Sequence, residues 1–544
     1  MTDPTTDKEQ APLNAAPPAK PGIAFFKFLL LLLISVGVSW ASAAKLGIGW
    51  VPGSIIGACI FGVGSFAMVK LAGSPREMGF TFGLKFLSVT AYKILNVTLV
   101  LWLVNDLGFT EPSALSVIVA WGFFMTITTL VVGSITDALG LRRTLIIGVT
   151  LCVVTRFAMV LTTNKLLALG FGLFPLAVGE AFCTPVLVAA LRKYATPQQR
   201  SVAFSLFYAI MNFGFMFGYF VFDGVRGAML DQGPLVVPFI DGGLSPFRVL
   251  LFVSLGVDLL MFPLILLLRP NVEMTADGLV EVPEKHEYPN AGFVEKIGLT
   301  VRDGARDTWA TLTSLVTSDG FYRLICFLLI IGLLKVVFNA MDYVLPPFTD
   351  REIGEGAKVG RLNAVNGILI LILAPAVGMM TRNYASYSMV ILGGFITALS
   401  FVFMAMPTSA FQGAADGWLG EAIGHGYLEI TGAVHPYYIM IFFWQVVFSI
   451  GEAFYSPRVY EYAASIAPKG QEATYSSLSY VPLLIGKLVT GAAFGGLLAK
   501  YCPEDGPRDP ATMWLIIGIL ILVAPISLVV FKRYIRVKEE GRDN

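Results

Sequence analysis

The chain has 544 residues, of which 56% are hydrophobic and 14% charged, and its mean hydropathy is +0.73. The surface of a soluble globular protein needs more charged groups than this. The composition therefore predicts an all-α polytopic membrane protein. A net charge of +1 without a basic patch argues against nucleic acid as a partner. The five cysteines follow neither a paired nor a metal-ligand spacing, so we expect no disulfide framework, no metal and no cofactor.

Fourteen apolar runs have the length, about 18 to 25 residues, that crosses a bilayer as a helix. They lie near 23–43, 53–71, 85–105, 114–136, 144–163, 166–191, 201–222, 247–268, 321–346, 362–381, 386–406, 436–457, 473–499 and 512–532. The polar residues before them, 1–22, are expected to be a disordered cytoplasmic leader rather than a signal peptide. The first two runs, within 23–84, predict an extra transmembrane hairpin outside the core, which is a candidate docking site for a protein partner.

The placement of lysine and arginine predicts the orientation. With a cytoplasmic N-terminus, the cytoplasmic loops receive Lys70, Arg76, Arg142, Arg143, Arg192, Lys193, Arg200, Arg382, Arg458, Lys469, Lys532, Arg533, Arg536 and Lys538. The opposite loops hold fewer bases, as the positive-inside rule requires. An even number of spans then places both termini, including the tail 533–544, in the cytoplasm. Short loops without an exterior domain are typical of a bacterial inner membrane.

A tight turn that contains glycines joins the fourth and fifth apolar runs. Gly133, Asp137 and Gly140 are followed by Arg142 and Arg143. Small residues let two helices approach closely, the acid can face the N-terminus of a neighbouring helix, and the arginines can stay in the headgroups. An ordinary basic loop would explain the arginines but not the spacing of glycine and aspartate. This segment resembles the loop between the second and third core helices of the major facilitator superfamily, where it implies a conformational hinge.

The polar connection 269–320 separates six spans, 85–268, from six others, 321–532. Two six-helix bundles are the arrangement that the superfamily resemblance implies, joined here by a cytoplasmic linker. The linker is weakly amphipathic from 292 to 315, so a helix lying on the membrane and a flexible connection are both open.

Four segments of the core resemble one family of that superfamily. Residues 204–214, FSLFYAIMNFG, place an aromatic pair before an Asn-x-Gly, and residues 91–109, 362–375 and 451–457 match in the same order. They resemble the fifth, first, eighth and tenth helices of the proton-coupled oligopeptide transporters. The resemblance implies secondary active transport of di- and tripeptides, driven by protons.

Two departures from that family concern its functional residues. Where the first helix of the family carries an acidic and arginine-containing motif, this chain has Leu87, Ser88 and Val89. Where the fourth helix carries a lysine, this chain has Glu180. The family's proton-coupling cluster and its peptide site therefore cannot simply be transferred.

The chain instead has charges of its own inside the apolar spans. Ionised groups at mid-bilayer depth are costly, so they generally face a bundle interior or a water-filled cavity. Six are deep in spans, and Asp258 and Asp342 lie nearer span ends; the six are Lys93, Arg156, Glu180, Lys335, Glu452 and Lys487. The superfamily resemblance implies that the first, fourth, seventh and tenth core helices line a central cavity, and these helices carry Lys93, Glu180, Lys335 and Glu452.

These four residues are the predicted substrate site. We expect Lys93 and Glu180 to form its first half and Lys335 and Glu452 its second, an arrangement that suits a zwitterion with one carboxylate and one ammonium. Glu452 also matches the tenth-helix motif, whose acid approaches the substrate's amino group. Purely structural pairing of the lysines with Glu180 and Glu452, or of Glu452 with Lys487, is the alternative.

Glu452 and Glu180 are also the predicted proton-coupling residues, because a buried carboxyl that loses a basic partner can take up a proton. Neutral candidates for substrate contact are Tyr92, Tyr208, Asn212, Asn339, Asn366 and Tyr455, although such groups also serve as hydrogen-bonding links between membrane helices.

Three functions fit these observations. A transporter of small polar or zwitterionic solutes such as di- and tripeptides agrees best with the cavity charges. The same fold carrying an amino-acid conjugate, a drug-like compound or an amphiphile is the second, and a membrane sensor or scaffold is the third. An enzyme is not expected, because no nucleophile with a base, metal cluster or phosphate loop is present.

Overall fold

The fold is helical throughout the membrane-spanning part of the chain. The computed structural model describes residues 21–44, 49–196, 199–238, 243–269, 272–275, 278–281, 319–381, 383–465 and 481–536, with a few isolated positions between 292 and 306. Eleven helices in these ranges are long and apolar enough to cross a membrane. The predicted polytopic helical membrane protein is thereby confirmed. Residues 1–20 of the predicted leader 1–22, most of the linker and the end of the tail lie outside the described residues, and residues 21 and 22 belong to a helix.

Two helices precede the core and pack against each other. Helix α1 is Pro21–Ala44 and helix α2 is Trp50–Lys70. Glycines on α2 let the backbones touch, since a Cβ atom at Gly57 would lie 2.7 Å from the carbonyl oxygen of Ser35. Their apolar stretches, Leu31–Ala41 and Trp50–Phe66, are shorter than the eleven membrane spans. A transmembrane hairpin at this position therefore stays a prediction, as does the total of fourteen spans.

The first bundle contains six helices. They are α3 (Arg76–Asp106), α4 (Glu111–Leu139), α5 (Leu141–Leu161), α6 (Lys165–Tyr194), α7 (Arg200–Gln232) and α8 (Pro246–Leu267). Helix α3 packs on α7 and α8, and α5 packs on α6 and α8. Helix α3 begins nine residues before the predicted start of the span. The longer helix is possible because the acid in its first turn has a basic partner. The buried Glu77 accepts a hydrogen bond from Arg269 at 2.6 Å, and this bond raises the pKa of Arg269.

A small antiparallel sheet follows the first bundle and modifies the predicted all-α class. Strand β1 (Val272–Thr275) pairs with β2 (Gly278–Glu281), with Val272 opposite Glu281. Val272 is buried, and β1 packs against α6. The ladder ends with Thr275 opposite Gly278, so only two residues separate the strands. The sequence instead predicts a helix on the membrane or a flexible connection for the linker, because four-residue strands give a much weaker pattern than the neighbouring spans.

The second bundle contains α9 (Tyr322–Glu352), α10 (Val359–Met380), α11 (Ser386–Ala405), α12 (Pro436–Ser465), α13 (Val481–Tyr501) and α14 (Pro510–Val530). Helix α9 has an additional turn at its start, from Asp319. Between α11 and α12 lie a short helix, Ser409–Ala415, and a π-helical segment, Gly420–Tyr427. Helix α12 packs on α10 and α11, and α9 packs on α13 and α14.

The two bundles meet along two pairs of helices, α7 with α10 and α4 with α13. Glycines permit the close approach in both pairs. A Cβ atom at Gly360 of α10 would lie 2.2 Å from the carbonyl oxygen of Tyr219 on α7, and one at Gly495 of α13 would lie 2.6 Å from the Cα atom of Pro112 on α4. The central helices α3 and α9 also contact each other across the interface of the bundles.

Candidate substrate site between the two bundles

One buried carboxylate, Asp342 of α9, connects the bundles at their centre. Lys93 Nζ and Asn96 Nδ2 of α3 each donate to Asp342 Oδ2 at 2.7 Å, and the hydroxyl of Tyr219 on α7 donates to Asp342 Oδ1 at 2.5 Å. The hydroxyl of Tyr343 donates to Asn96 Oδ1 at 2.6 Å. All five side chains are buried. The acid and its neighbour can both face the first bundle because Ala340–Val344 form a π-helical turn, which changes the direction of consecutive side chains.

Further polar contacts close the bundles at one end. Arg226 of α7 donates to both oxygens of Asp350 on α9 at 2.8 Å, and Arg351 pairs with Glu111 of α4. Asp223 of α7 accepts from the backbone N–H groups of residues 360 and 361 at 2.8 and 2.6 Å, so a carboxylate of one bundle caps the first turn of a helix in the other. We call this region, with Glu111, Asp223, Arg226, Asp350 and Arg351, the closed end. In the predicted orientation it faces the exterior.

Glu180 lies inside the first bundle and pairs there with Arg156. The guanidinium of Arg156 on α5 donates to Glu180 of α6 and also to Asp258 of α8. Arg156 has 0% exposure, and both acids are buried. The expected association of Glu180 with Lys93 in one half-site is therefore not the pairing that the structure has, since Lys93 binds Asp342. Two carboxylates share one base, which leaves the group with one more acid than base.

The second half of the predicted site is assembled on α9, α10 and α12. Asn366 Nδ2 donates to Glu452 Oε2 at 2.7 Å and to Ser449 Oγ at 3.0 Å. Lys335 Nζ donates to Ser456 Oγ at 3.0 Å rather than to Glu452, although the two charges interact through space. The rings of Phe338 and Tyr455 lie 4.9 and 5.0 Å from Lys335 Nζ. Glu452 is thus held by an amide and a nearby charge, not by a direct ion pair.

The neutral residues predicted to contact substrate divide into two groups. Tyr92 stacks on Trp121 with ring centroids 6.2 Å apart, and Asn339 is buried on α9, so both lie among the central helices. Tyr208 packs in a small apolar cluster between α7 and α10, and Asn212 donates to the backbone oxygen of Tyr208 at 3.0 Å. The amide of Asn212 is therefore used within its own helix.

The predicted hinge is a one-residue connection. Helix α4 ends at Leu139 and α5 begins at Leu141, and Gly140 between them has φ = +80°, a conformation that glycine adopts without strain. Arg142 is half-buried and Arg143 exposed. Gly133 and Asp137 lie within α4, and the side chain of Asp137 is outside the described part. The glycine thus serves the turn as the sequence predicts, and its role in conformational change stays a prediction.

Three further charges are buried within the helices although they are not part of the predicted site. The sequence places Asp342 and Asp258 nearer the ends of their predicted spans and Lys85 at the predicted start of the first core span. Because α3 begins at Arg76, Lys85 is a full nine residues inside it, where its ammonium lies 4.8 Å from the centre of the Phe207 ring. The observed start of α3 places Lys85 deep in its helix, and the observed end of α9 at Glu352 does the same for Asp342. Helix α8 has nearly its predicted bounds, so helix ends do not single out Asp258.

We expect Lys93→Met to destabilise the protein by about 3–5 kcal/mol, because Asp342 would remain buried without its base. Asp342→Asn should also destabilise it, since Lys93 would be left unpaired. The double variant should lose clearly less than the sum of the two single losses, as residues in direct contact do. Thermal unfolding of the four purified proteins measures this coupling, and additive losses would contradict the ion pair.

Known structures share this architecture. A POT family transporter in complex with 5-aminolevulinic acid superposes with a TM-score of 0.62 at 16% identity, covering 86% of this chain and 98% of that one. A POT family transporter in complex with a thioalcohol conjugated peptide gives 0.61 at 16%, covering 86% and 98%. An auto inhibited POT family peptide transporter gives 0.58 at 15%, covering 86% and 99%. At these identities the likeness is one of fold.

No curated protein matches the chain in sequence. The family model of the Major Facilitator Superfamily matches residues 81–428. That range holds the first bundle, the linker and the second bundle as far as the π-helical segment before α12, including Asp342 and the closed end. By this match, the chain belongs to the major facilitator superfamily.

Proposed function

We propose that the protein is a proton-coupled secondary transporter that moves a small zwitterion, such as a di- or tripeptide, by alternating access. The observation that carries the proposal is the set of buried acids and bases between two bundles that are joined by polar contacts at one end. Burial of so many charges is costly, and a transport pathway is the usual reason for it. The two bundles provide the rocking units of alternating access around that site.

The contacts at the closed end support this mechanism because they can be broken and remade. Arg226, Asp223 and Glu111 belong to the first bundle, and each binds a group of the second. Each contact would have to open for substrate to enter from that side, and the Lys93–Asp342 pair behind them would separate as well. A zwitterion could then offer its own carboxylate and ammonium to the separated residues.

Glu452 is the proposed principal proton carrier. Its carboxylate accepts from Asn366 and has no direct lysine partner among the residues that the structure describes, so protonation would not require an ion pair to break. Glu180 is the second carrier, in the group that it shares with Arg156 and Asp258. We also propose di- and tripeptides as the substrate class from the likeness to solved peptide transporters, and the exchange of the family's lysine for Glu180 favours another zwitterion or amino-acid conjugate as the alternative.

We further propose the two-bundle division with boundaries near 85–268 and 321–532, cytoplasmic termini and a bacterial inner membrane as the location. Helices α1 and α2 are a candidate site for a protein partner.

Uptake into proteoliposomes tests the function. A labelled dipeptide mixture should accumulate under an inward proton gradient, and Glu452→Gln should abolish that accumulation while leaving counterflow, because the amide keeps the hydrogen bond but cannot carry a proton. Retained accumulation by Glu452→Gln would remove this residue from coupling. An intact protein that takes up no dipeptide would remove peptides as the substrate.

A further inference from the structure

We propose that Lys487 of α13, together with Trp121 of α4, is the subsite that binds the carboxylate of the transported substrate. The proposal rests on the proposed function, since it assigns one end of a zwitterion to a named position between the bundles. Lys487 belongs to the second bundle and Trp121 to the first, so a carboxylate bound there would touch both rocking units.

The ammonium of Lys487 is buried and has no hydrogen-bond partner in the described part of the chain. The residue is only 9% exposed, and its Nζ lies 4.7 Å from the centre of the Trp121 ring. An ammonium can donate three hydrogen bonds, and a ring face replaces only part of the hydration that it loses. Among the described lysines, only Lys487 has a buried side-chain nitrogen without a hydrogen-bond partner. A buried cation of this kind lacks an anion.

The acids nearby are already engaged. Asp342 and Glu180 both act on Lys487 through space. Asp342 accepts from Lys93, Asn96 and Tyr219, and Glu180 pairs with Arg156. Lys93, the other cation that faces Lys487, adds repulsion. The protein therefore holds a positive charge at this point without giving it a direct counter-charge.

Trp121 supplies a second donor beside the first. Its indole N–H is also buried without an acceptor. Unpartnered indole groups occur at Trp102, Trp444 and Trp514 as well, so the lysine carries the argument and the tryptophan adds to it. A carboxylate has two oxygens that accept hydrogen bonds, so it could satisfy both donors together.

One glycine makes room for Lys487, and a second, next to it in sequence, packs against Lys335. A Cβ atom at Gly122 would lie 2.6 Å from Lys487 Cδ, so glycine there provides the space for the lysine chain. A Cβ atom at Gly486 would lie 3.3 Å from Lys335 Cβ, which places Lys487 at the same level of the bundle as Lys335. Lys335 interacts in turn with Glu452. A substrate with its carboxylate at Lys487 would thus direct its ammonium toward Glu452 on the opposite side.

Ligand-induced thermal stabilisation of the purified protein tests the subsite without a proton gradient. The probes are alanyl-alanine, its C-terminal amide, propionate, propionamide and sulfate, titrated into the wild type, Lys487→Met, Trp121→Phe and Lys500→Met. The last variant makes the same change at the exposed end of the same helix. Loss of one charge-assisted hydrogen bond weakens binding about 10-fold or more. Lys487→Met should fold, because it removes a buried unpaired charge.

We expect the wild type and Lys500→Met to bind each acid at least about 10-fold more tightly than its amide, and Lys487→Met to bind acid and amide equally. Trp121→Phe should reduce the preference. A Lys487-dependent preference for propionate without any effect of alanyl-alanine would retain the subsite and reject peptides as substrate. An acid preference that survives in Lys487→Met would overturn the proposal, as would acid and amide binding equally in the wild type, or sulfate binding as tightly as the carboxylates.

Discussion

Leucine in place of Gly360 should hold the closed end apart and abolish transport while the protein remains folded. Gly360 is the second residue of α10 and lies against the backbone of α7. A Cβ atom there would be 2.2 Å from the carbonyl oxygen of Tyr219 and 2.8 Å from Asp223 Oδ1, both too close for any side chain. Because leucine is a better helix former than glycine, the substitution costs the helix itself nothing. The strain falls on the contact between the bundles.

Two measurements test the expected effects of Gly360→Leu on transport and on the closed end. Counterflow in proteoliposomes should fall to the level of empty vesicles. Spin labels on cysteines at the exposed Val236 and Trp418, in a cysteine-free background, report the separation of the bundles at this end, and their distances should become longer than in the unsubstituted protein.

Gly378 provides the matched control. It lies near the other end of α10, and a Cβ atom there would meet no atom within 4 Å. Gly378→Leu should keep both the spin-label distances and the transport rate of the wild type. Unchanged distances in Gly360→Leu would show that α7 and α10 do not need to touch for the end to close.

Arg156→Met should have the largest effect on stability. The substitution would leave Glu180 and Asp258 buried and facing each other, and removal of one partner of a buried ion pair costs about 3–5 kcal/mol. With two acids on one base, the loss should lie at the upper end of that range. Fluorescence-detected size exclusion and thermal unfolding in detergent would record a lower yield and a lower melting temperature.

Asp258→Asn separates the charge from the packing of this group. It leaves Arg156 with one carboxylate, so it should destabilise far less than Arg156→Met. Adding Glu180→Gln and Asp258→Asn to Arg156→Met should recover much of the lost stability, because no unpaired acid would remain. A triple variant as unstable as Arg156→Met would mean that the arginine acts through its packing and not through its charge.

Hydropathy predicted the helices of this chain well because each membrane span is long enough for its composition to decide it. It predicted the ends less well, and Lys85 was missed because Glu77 and Arg269 neutralise each other and allow α3 to start earlier. Hydropathy also does not detect a π-helical turn. That turn directs Asp342 toward the first bundle, although the sequence places this residue near the predicted end of its span.

The sequence shows which charges lie inside the spans, but it does not show how they pair. Lys93 was expected beside Glu180, yet it binds Asp342, which lies 249 residues away on the other bundle. Helical periodicity shows which residues share a helix face, and it contains no information about how two bundles are rotated against each other. Partners across the bundles therefore depend on tertiary packing. Glu452 and Asn366 are each predicted to contact substrate, and the hydrogen bond that joins them in the structure is not predicted by the sequence.

Helix α2 contacts both bundles, and this has a consequence for the pace of the cycle. It packs against α7 of the first bundle, while the backbone N–H of Trp50 at its start donates to Glu429 Oε1, in the loop before α12, at 3.0 Å. Glu429 has φ = +54°, which a residue other than glycine adopts at a cost of about 1–2 kcal/mol, and it also pairs with Arg361. We expect the hydrogen bond between Trp50 and Glu429 to break when the bundles separate at this end. The added helices would thus lengthen the dwell time of the closed form and act on turnover more than on affinity.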